Sequence, residues 1–235
     1  MKKTLLTILI LAGIGFFSCK QSSKPTKDIT KKKTSGSTKN ILNKEMFNDK
    51  DIYSQFEYLD NKDKKIIIQN GLPRGGMKYT DAKGDVYNYA VFWTNIINKT
   101  DHTFELNFKI PLNAFEVPSL PGKYYEVMIP EDTMTIKKFP VYLYGLKNLE
   151  SFLDDNVHKL SHSKRIIKPK ESTAFYFIIL CLIDGAHGTM RTGLSIKKEN
   201  LFYKIKIDGS NSNSKSNEKE VNFGHINLKN LRIKE

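Results

Sequence analysis

From Lys64 onward, apolar side chains recur at every second position, and this period restricts the fold more than any other feature. The clearest stretch lies just after a turn at residues 98–101. Its apolar residues Phe104, Leu106, Phe108, Ile110 and Leu112 alternate with Thr103, Glu105, Asn107 and Lys109. Successive side chains of a β-strand point to opposite faces of the sheet. The pattern therefore predicts a strand with one buried and one exposed face.

The other apolar runs predict a domain made almost entirely of strands. Residues 86–97 are β-branched and aromatic on both faces, and with the following turn and strand they predict a hairpin. Residues 174–183 are apolar on both faces, which predicts a central strand. Further candidate strands are residues 64–70, 123–129, 133–144, 193–197, 201–207 and 221–228, bounded by turn-forming residues.

Helical spacing is confined to short segments. The apolar residues of 146–157 share one helix face, and residues 42–59 fit either a short helix or an irregular lead-in. A parallel sheet needs a crossover helix between most of its strands. One short helix among many strands therefore predicts a mainly β fold, an antiparallel β-sandwich.

Two segments resemble immunoglobulin-like sandwich modules of exported bacterial proteins. The first is Trp93–Asp101 with the alternating strand that follows, and the second is Lys168–Ser172 leading into Phe175-Tyr-Phe177. The resemblance implies an immunoglobulin-like β-sandwich, and it implies no particular activity because such sandwiches carry many functions.

The first nineteen residues resemble the signal peptide and lipobox of bacterial lipoproteins. Two lysines precede an apolar run, Leu5–Phe17, that is shorter than the roughly 20 residues of a membrane-spanning helix. The run ends in Phe16-Phe17-Ser18-Cys19, in which the two Phe replace the small or aliphatic residues usual in the family. The resemblance implies removal of residues 1–18 and acylation of Cys19, as with palmitate. An ordinary secretory signal and an uncleaved anchor are the alternatives.

The net charge of +13 is concentrated before the folded domain. The signal accounts for +2 and residues 20–40 for +6, which leaves +5 on residues 41–235. Residues 19–40 are rich in Lys, Ser and Thr and too polar to form a core, so we expect a disordered tether. Its lysines suit an acidic lipid surface, although a plain soluble spacer fits equally. The weak charge of the domain argues against a nucleic-acid partner.

Taken whole, the chain resembles lipoproteins of Bacteroidota that combine a lipoprotein signal, a low-complexity spacer and a β domain. In many of them an acidic run after the acylated Cys directs export to the cell surface. Residues 20–24, Lys-Gln-Ser-Ser-Lys, lack such a run. The resemblance therefore implies the periplasmic face of the outer membrane. We expect residues 41–235 to form one domain, with a mobile low-complexity loop at 209–220.

Few residues point to chemistry. The chain has two cysteines, and if Cys19 carries lipid, Cys181 has no partner and acts as a small apolar residue in its strand. Asp184, His187 and Arg191 follow the predicted central strand, where they form either a small polar site or a simple Asp-Gly turn. Asp154, His158 and His162 would share a face of an extended helix and form a metal site, or else mark a solvated helix end.

Other short motifs are weaker, and each has a structural alternative. Residues 71–78, Gly-Leu-Pro-Arg-Gly-Gly-Met-Lys, offer amides and two cations to an anion or simply connect two strands. Asp132-Thr133-Met134 resembles a bacterial O-glycosylation signal. Core and edge packing or a binding face would explain the tyrosines that cluster in strands: Tyr87, Tyr89, Tyr124, Tyr125, Tyr142, Tyr144 and Tyr203.

Together these features predict a membrane-anchored, non-catalytic binding or structural module that contacts the bilayer through acylated Cys19 and, in the envelope, another protein or a glycan. The alternative is an envelope hydrolase with a site near Asp184, His187 and Arg191. A third hypothesis is a carrier that holds an apolar ligand between its sheets. No recognised metal-ligand or cofactor motif occurs, so the sequence predicts neither a cofactor nor a metal site.

Overall fold

The computed structural model describes residues 47–209 and 217–228. Cys19, the signal and the predicted tether lie outside these residues. The described strands, in chain order, are β1 (Ile52–Leu59), β2 (Lys65–Gly71), β3 (Arg74–Thr80), β4 (Val86–Asn98), β5 (Phe104–Ile110), β6 (Phe115–Val117), β7 (Leu120–Met128), β8 (Thr133–Met134), β9 (Ser161–Ile167), β10 (Ser172–Leu182), β11 (Thr189–Lys197), β12 (Asn200–Asp208) and β13 (Asn217–Asn227). One α-helix, α1, spans Leu149–Asn156, and short 3₁₀ turns occupy Asp49–Asp51, Ile136–Lys138, Tyr142–Gly145 and Ile183–Gly185.

The strands form two antiparallel sheets packed face to face, so the predicted β-sandwich is confirmed. Sheet 1 has the order β1-β2-β4-β10-β7-β6, with β3 paired to β4 and β8 paired to β10. Sheet 2 has the order β11-β12-β13-β5-β9. β10 pairs with β4 on one side and with β7 and β8 on the other, which confirms that residues 174–183 form a central strand.

Aromatic side chains fill the space between the sheets. The Tyr203 ring of sheet 2 packs 4.3 Å from that of Phe177 in sheet 1 and 4.9 Å from that of Phe223, centroid to centroid. Phe108 makes edge contacts with Phe175 and Phe177 at 5.6 and 6.0 Å. All of these rings are at most 3% exposed, and burying each contributes on the order of 2 kcal/mol.

A second core covers the outer face of sheet 1. Residues 132–158, including α1, pack against that face, where Leu153, Trp93 and Tyr176 are almost completely buried. The outer face of sheet 2 instead carries ion pairs such as Lys204 with Glu218. This difference explains why β4 and β10 are apolar on both faces, whereas β5, β9 and β12 of sheet 2 alternate.

Side chains of sheet 1 cap the open edge of sheet 2. The Asn70 amide matches both backbone groups of Leu194 on β11: its Oδ1 accepts from the Leu194 N–H at 2.9 Å and its Nδ2 donates to the carbonyl at 3.1 Å. The Tyr58 hydroxyl accepts the next free amide, that of Ile196, at 2.7 Å. Edge groups that would otherwise be left unpaired inside the fold are thereby satisfied.

The predicted hairpin between residues 86–97 and the alternating strand is wrong, because β4 and β5 belong to different sheets. The crossing is fixed by Asn98, which is fully buried. Its Nδ2 donates to the carbonyls of His102 and Lys168 at 2.7 and 2.9 Å, and its Oδ1 accepts the Thr100 hydroxyl at 2.7 Å. Asn98 thus ties the β4–β5 crossing to the β9–β10 crossing. Because this amide is buried, it is closed to glycosylation at the Asn-Lys-Thr sequence.

Four other segments differ from the sequence expectations. Residues 52–59 form a strand, β1. It pairs with β2, and its half-buried side chains pack against the core. Residues 135–144 form 3₁₀ turns over sheet 1 where a strand was expected. α1 ends at Asn156, so residues 161–167 form β9 instead of continuing the helix. β13 begins at Asn217, so the last four residues of the expected loop are paired strand, and 210–216 lie outside the described residues.

We expect the Asn98→Ala substitution to destabilise the domain by about 3 kcal/mol, because it removes the donor to the Ile167, His102 and Lys168 carbonyls and leaves the buried Thr100 N–H and hydroxyl without their acceptor. Urea unfolding of the two proteins measures the difference. The matched control is Asn113→Ala, since Asn113 is exposed in the turn before β6 and should change the free energy of unfolding very little. Equal effects of the two substitutions would contradict this role for Asn98.

Candidate functional site

A two-lobed cleft opens between the sheets at the end of the sandwich where β10 leaves sheet 1. The first lobe has a volume of about 410 Å³ and the second of about 300 Å³. Tyr125 of β7 and Ile207 of β12 line both lobes and separate them. The lining of the first lobe includes the apolar Phe115, Val117 and Pro118 and the charged Glu116, Glu218 and Lys219. The lining of the second lobe is mostly uncharged and includes Ala90, Ile179, Cys181, Ala186, His187 and Met190, with the polar Asn88 and Thr189.

The turn that links β10 to β11 forms one wall of the second lobe and depends on Gly185. A Cβ at this position would lie 2.6 Å from Cγ1 of Val117 and 2.8 Å from Cδ1 of Leu120, so the turn approaches the β6–β7 strands too closely for a side chain. The first glycine of the Asp-Gly-Ala-His-Gly sequence is therefore required for packing. This supports the simple Asp-Gly turn, which was the alternative to a small polar site.

The only thiol among the described residues lies in the second lobe. Cys181 is 5% exposed and faces Tyr125. Burial raises the pKa of the Cys181 thiol to about 11, from an ordinary 9.0. Burial, with Cys181 next to it, also raises the pKa of Tyr125. Both groups are therefore neutral at physiological pH, and the lobe offers a ligand an uncharged surface.

The structure does not bring Asp184, His187 and Arg191 together. His187 lines the second lobe, and Asp184 is exposed on the preceding turn. The Arg191 guanidinium lies over the ring of Tyr53 at 5.9 Å and donates to the carbonyl of Met190 at 3.0 Å. Within residues 47–209 and 217–228, no hydrogen bond or ion pair connects the three.

A polar cluster forms instead around His158, which the sequence analysis placed on an extended helix. His158 has a left-handed φ of 62°, just past the end of α1. Its Nδ1 lies 2.6 Å from Oε1 of Glu126, and its Nε2 lies 3.2 Å from Oδ2 of Asp81. The Tyr87 hydroxyl lies 3.4 Å from the same Nε2. These contacts join β7, the β3–β4 turn and the segment after α1.

The metal-face alternative for Asp154, His158 and His162 is wrong, because His162 lies on β9 while His158 is held between two carboxylates. No group of three metal-ligating side chains occurs in the described part of the chain. Asp154 accepts the Tyr79 hydroxyl at 2.9 Å. Burial works to raise the pKa of Asp81, but hydrogen bonds from the Asp85 amide and from His158 outweigh it and hold the pKa below its usual value. The cluster is a network of satisfied groups that fastens the covering segment to sheet 1.

The glycine-rich segment at residues 71–78 mainly forms β3. Gly71 lies directly against the indole of Trp93, which leaves no room for a Cβ. The Arg74 guanidinium lies 4.1 Å from the ring centroid of Tyr144 and donates to the carbonyl of Val141 at 2.6 Å. The Arg74 cation is engaged in packing. Its setting therefore fits a simple connection between two strands better than an anion-binding site.

The remaining motifs occupy varied settings. Thr133 of the Asp-Thr-Met motif is exposed, and its glycosylation stays a prediction. Most of the clustered tyrosines are buried, which supports core packing. The exposed exceptions are Tyr124 at 39% and Tyr142 at 67%. The sequence did not identify Tyr125 and Ile207 as residues that line both lobes, because the alternating pattern of their strands indicated only that they are buried. No feature of the sequence indicates that His158 contacts Asp81 and Glu126.

Comparison of the chain with family models, with curated proteins and with solved structures finds no match. Within the described residues, no helix combines the length and apolar character that crossing a bilayer requires.

The raised pKa of Cys181 predicts slow alkylation. In a Cys19→Ser chain, we expect N-ethylmaleimide to react with Cys181 about a hundredfold more slowly than with an ordinary thiol, because two pKa units reduce the thiolate a hundredfold. The rate should rise about tenfold per pH unit and continue to rise above 9.0, where an exposed cysteine levels off. Mass spectrometry follows the reaction, with the urea-unfolded chain as control. A plateau near pH 9 would contradict the assignment.

Proposed function

We propose that this chain is an envelope lipoprotein, acylated at Cys19 on the periplasmic face of the outer membrane, whose sandwich holds an apolar or amphipathic small ligand without catalysing a reaction. The observation that carries the proposal is the two-lobed cleft between the sheets. The proposal joins the binding-module hypothesis to the carrier hypothesis. The Cys19 anchor rests on the lipobox resemblance alone.

The size and lining of the cleft favour a small molecule. Lobes of about 410 and 300 Å³ fall in the range of roughly 300 to 1,000 Å³ that is usual for such sites. Aliphatic side chains, proline and a neutral thiol form most of the wall around Tyr125 and Ile207. An apolar group that enters the second lobe, which has no Asp, Glu, Lys or Arg in its lining, leaves water without displacing such a charge, and the hydrophobic effect supplies the affinity.

The side chains near the cleft favour binding over hydrolysis. His187 reaches the second lobe, but Asp184 and Arg191 do not form hydrogen bonds with it, and the nearby Cys181 thiol is protonated at neutral pH. A nucleophile normally needs a base within hydrogen-bonding distance. His187, with Asn88 and Thr189 in the same lining, instead offers hydrogen-bonding partners to the polar end of an amphipathic ligand.

The cleft can be tested with the fluorescent probe anilinonaphthalene sulfonate. We expect the probe to brighten on binding the native protein and to slow alkylation of Cys181. Ala186→Phe should fill the second lobe and weaken probe binding by roughly tenfold, since a phenyl group occupies the space of the apolar ligand.

The matched control is Ala82→Phe, since Ala82 is exposed in the β3–β4 turn, away from the cleft. The control variant should bind the probe as the parent does. Absence of brightening with the parent chain, or equal binding by the two Phe variants, would contradict the proposed site.

Acylation is tested by metabolic labelling with a fatty-acid analogue in cells that export lipoproteins. We expect label on the parent chain and none on Cys19→Ala, because only a thiol at this position accepts the lipid. The control is Cys181→Ala, which should be labelled like the parent since Cys181 is buried. Equal labelling of the parent and Cys19→Ala would exclude the anchor.

A further inference from the structure

A small apolar surface surrounds the turn at residues 139–145, and we call it the turn surface. It consists of Leu72, Val141 and Tyr142, with Met77 at its margin. Leu72 is 37% exposed, Val141 49% and Tyr142 67%. The Tyr142 hydroxyl contacts the Met77 sulfur, and the Tyr144 hydroxyl donates to the carbonyl of Leu72 at 2.7 Å. These contacts show that the two segments adjoin.

The turn holds these side chains outward at a conformational cost. Leu143, Tyr144 and Gly145 have consecutive positive φ values of 47°, 57° and 70°, a left-handed run that side chains disfavour. The run persists because neighbours fix it: the Tyr176 hydroxyl donates to the Tyr144 carbonyl at 2.9 Å, and Arg74 donates to the Val141 carbonyl. Leu143 and Tyr144 are buried, while the two preceding side chains face solvent.

The chemistry of the turn surface suits the interfacial region of a lipid bilayer. Residues 72–77 and 139–144 contain one charged side chain, Arg74, and no carboxylate. Two lysines precede the turn: Lys137 is exposed, and Lys138 forms an ion pair with Asp132 at 2.8 Å. Tyrosine and aliphatic side chains next to cations are favoured where headgroups meet acyl chains. An acidic protein partner would complement the cations but would leave the exposed aliphatic groups unmatched.

The route of the chain places this surface near the proposed anchor. Phe47, the first described residue, stacks on Trp93 at 4.2 Å and lies 5.8 Å from Phe139, between ring centroids. Residues 20–46, which separate Cys19 from this point, number 27. A chain of that length reaches at most roughly 95 Å, so an anchored domain stays within that distance of the membrane. Even weak surface binding then becomes effectively intramolecular.

We infer that the turn surface docks on the lipid bilayer that carries the acyl group, with Tyr142, Val141 and Leu72 in the headgroup layer. The inference rests on the proposed Cys19 anchor for its local concentration. β3 separates the turn surface from the second lobe, because Pro73, Gly75 and Gly76 line that lobe. Docking therefore places the second lobe next to the strand that adjoins the membrane, which favours membrane lipids as the ligand class.

The test uses residues 19–235 with Cys19→Ser, so that binding depends neither on acylation nor on the apolar signal. We measure cosedimentation with vesicles of phosphatidylglycerol and phosphatidylcholine in equal parts. Replacing Val141 and Tyr142 together by Ser should lower the partition into vesicles by roughly tenfold, because it removes the two most exposed apolar groups of the surface. Tyr142→Trp should bind at least as well as the parent, since Trp is favoured at bilayer interfaces.

The matched control is Tyr124→Ser, which removes another exposed tyrosine from β7 and should leave the partition unchanged. All variants keep the basic segment, so its attraction to vesicles is constant. The fluorescence of Trp93, the one tryptophan of the chain, verifies that the parent and the Ser variants are folded. Tyr142→Trp adds a second tryptophan, so its folding is verified by circular dichroism.

Partition of the double variant equal to that of the parent would overturn the inference. So would light scattering that shows a dimer of the parent chain and a monomer of the double variant, because the surface would then bind a second copy. Neither result affects the labelling of Cys19 or the binding of the apolar probe. Failure of docking is therefore distinguishable from failure of the proposed function.

Discussion

The pairing of β4 with β10 is the constraint on which the rest of the structure depends. Their ladder runs from Ser172 opposite Ile97 to Leu182 opposite Tyr87, and both strands are apolar on both faces. Such a pair is stable only if two separate layers cover it. Sheet 2 covers one face, and the segment of residues 132–158 covers the other. The cleft lies at the margin of the first cover, and the turn surface is part of the second.

The strands were predictable because their period of two is a local property of the chain. The central strand was predictable from its apolar character on both faces. The partner of β5 was not predictable. The residues from Phe104 to Ile110 alternate in the same way whether this strand pairs with β4 or crosses to the opposite sheet. The bonds of Asn98 make that choice, and their acceptors lie up to 70 residues away in the chain.

The candidate site was predictable to a smaller extent. The sequence located His187 at the end of the central strand, and the cleft is there. It also suggested Arg191 and Asp184 as partners, yet residues on a strand that twists away from a turn point in different directions. His158 had the opposite outcome: its expected partner on a helix was wrong, while Asp81 and Glu126 reach it from elements 77 and 32 residues away. Convergence of this kind has no signature in one sequence.

The stacking of Phe47 on Trp93 has a mechanical consequence. Phe47 is the first described residue, and it meets the domain at this pair of rings, on the outer core that covers sheet 1. A pulling force applied at Phe47 therefore acts first on the ring stack and next on β1, at the edge of sheet 1. β1 contributes Phe56 and Tyr58 to the layer between the sheets, but none of its residues lines the cleft. Such a force reaches the cleft through the strands that lie between the cleft and β1.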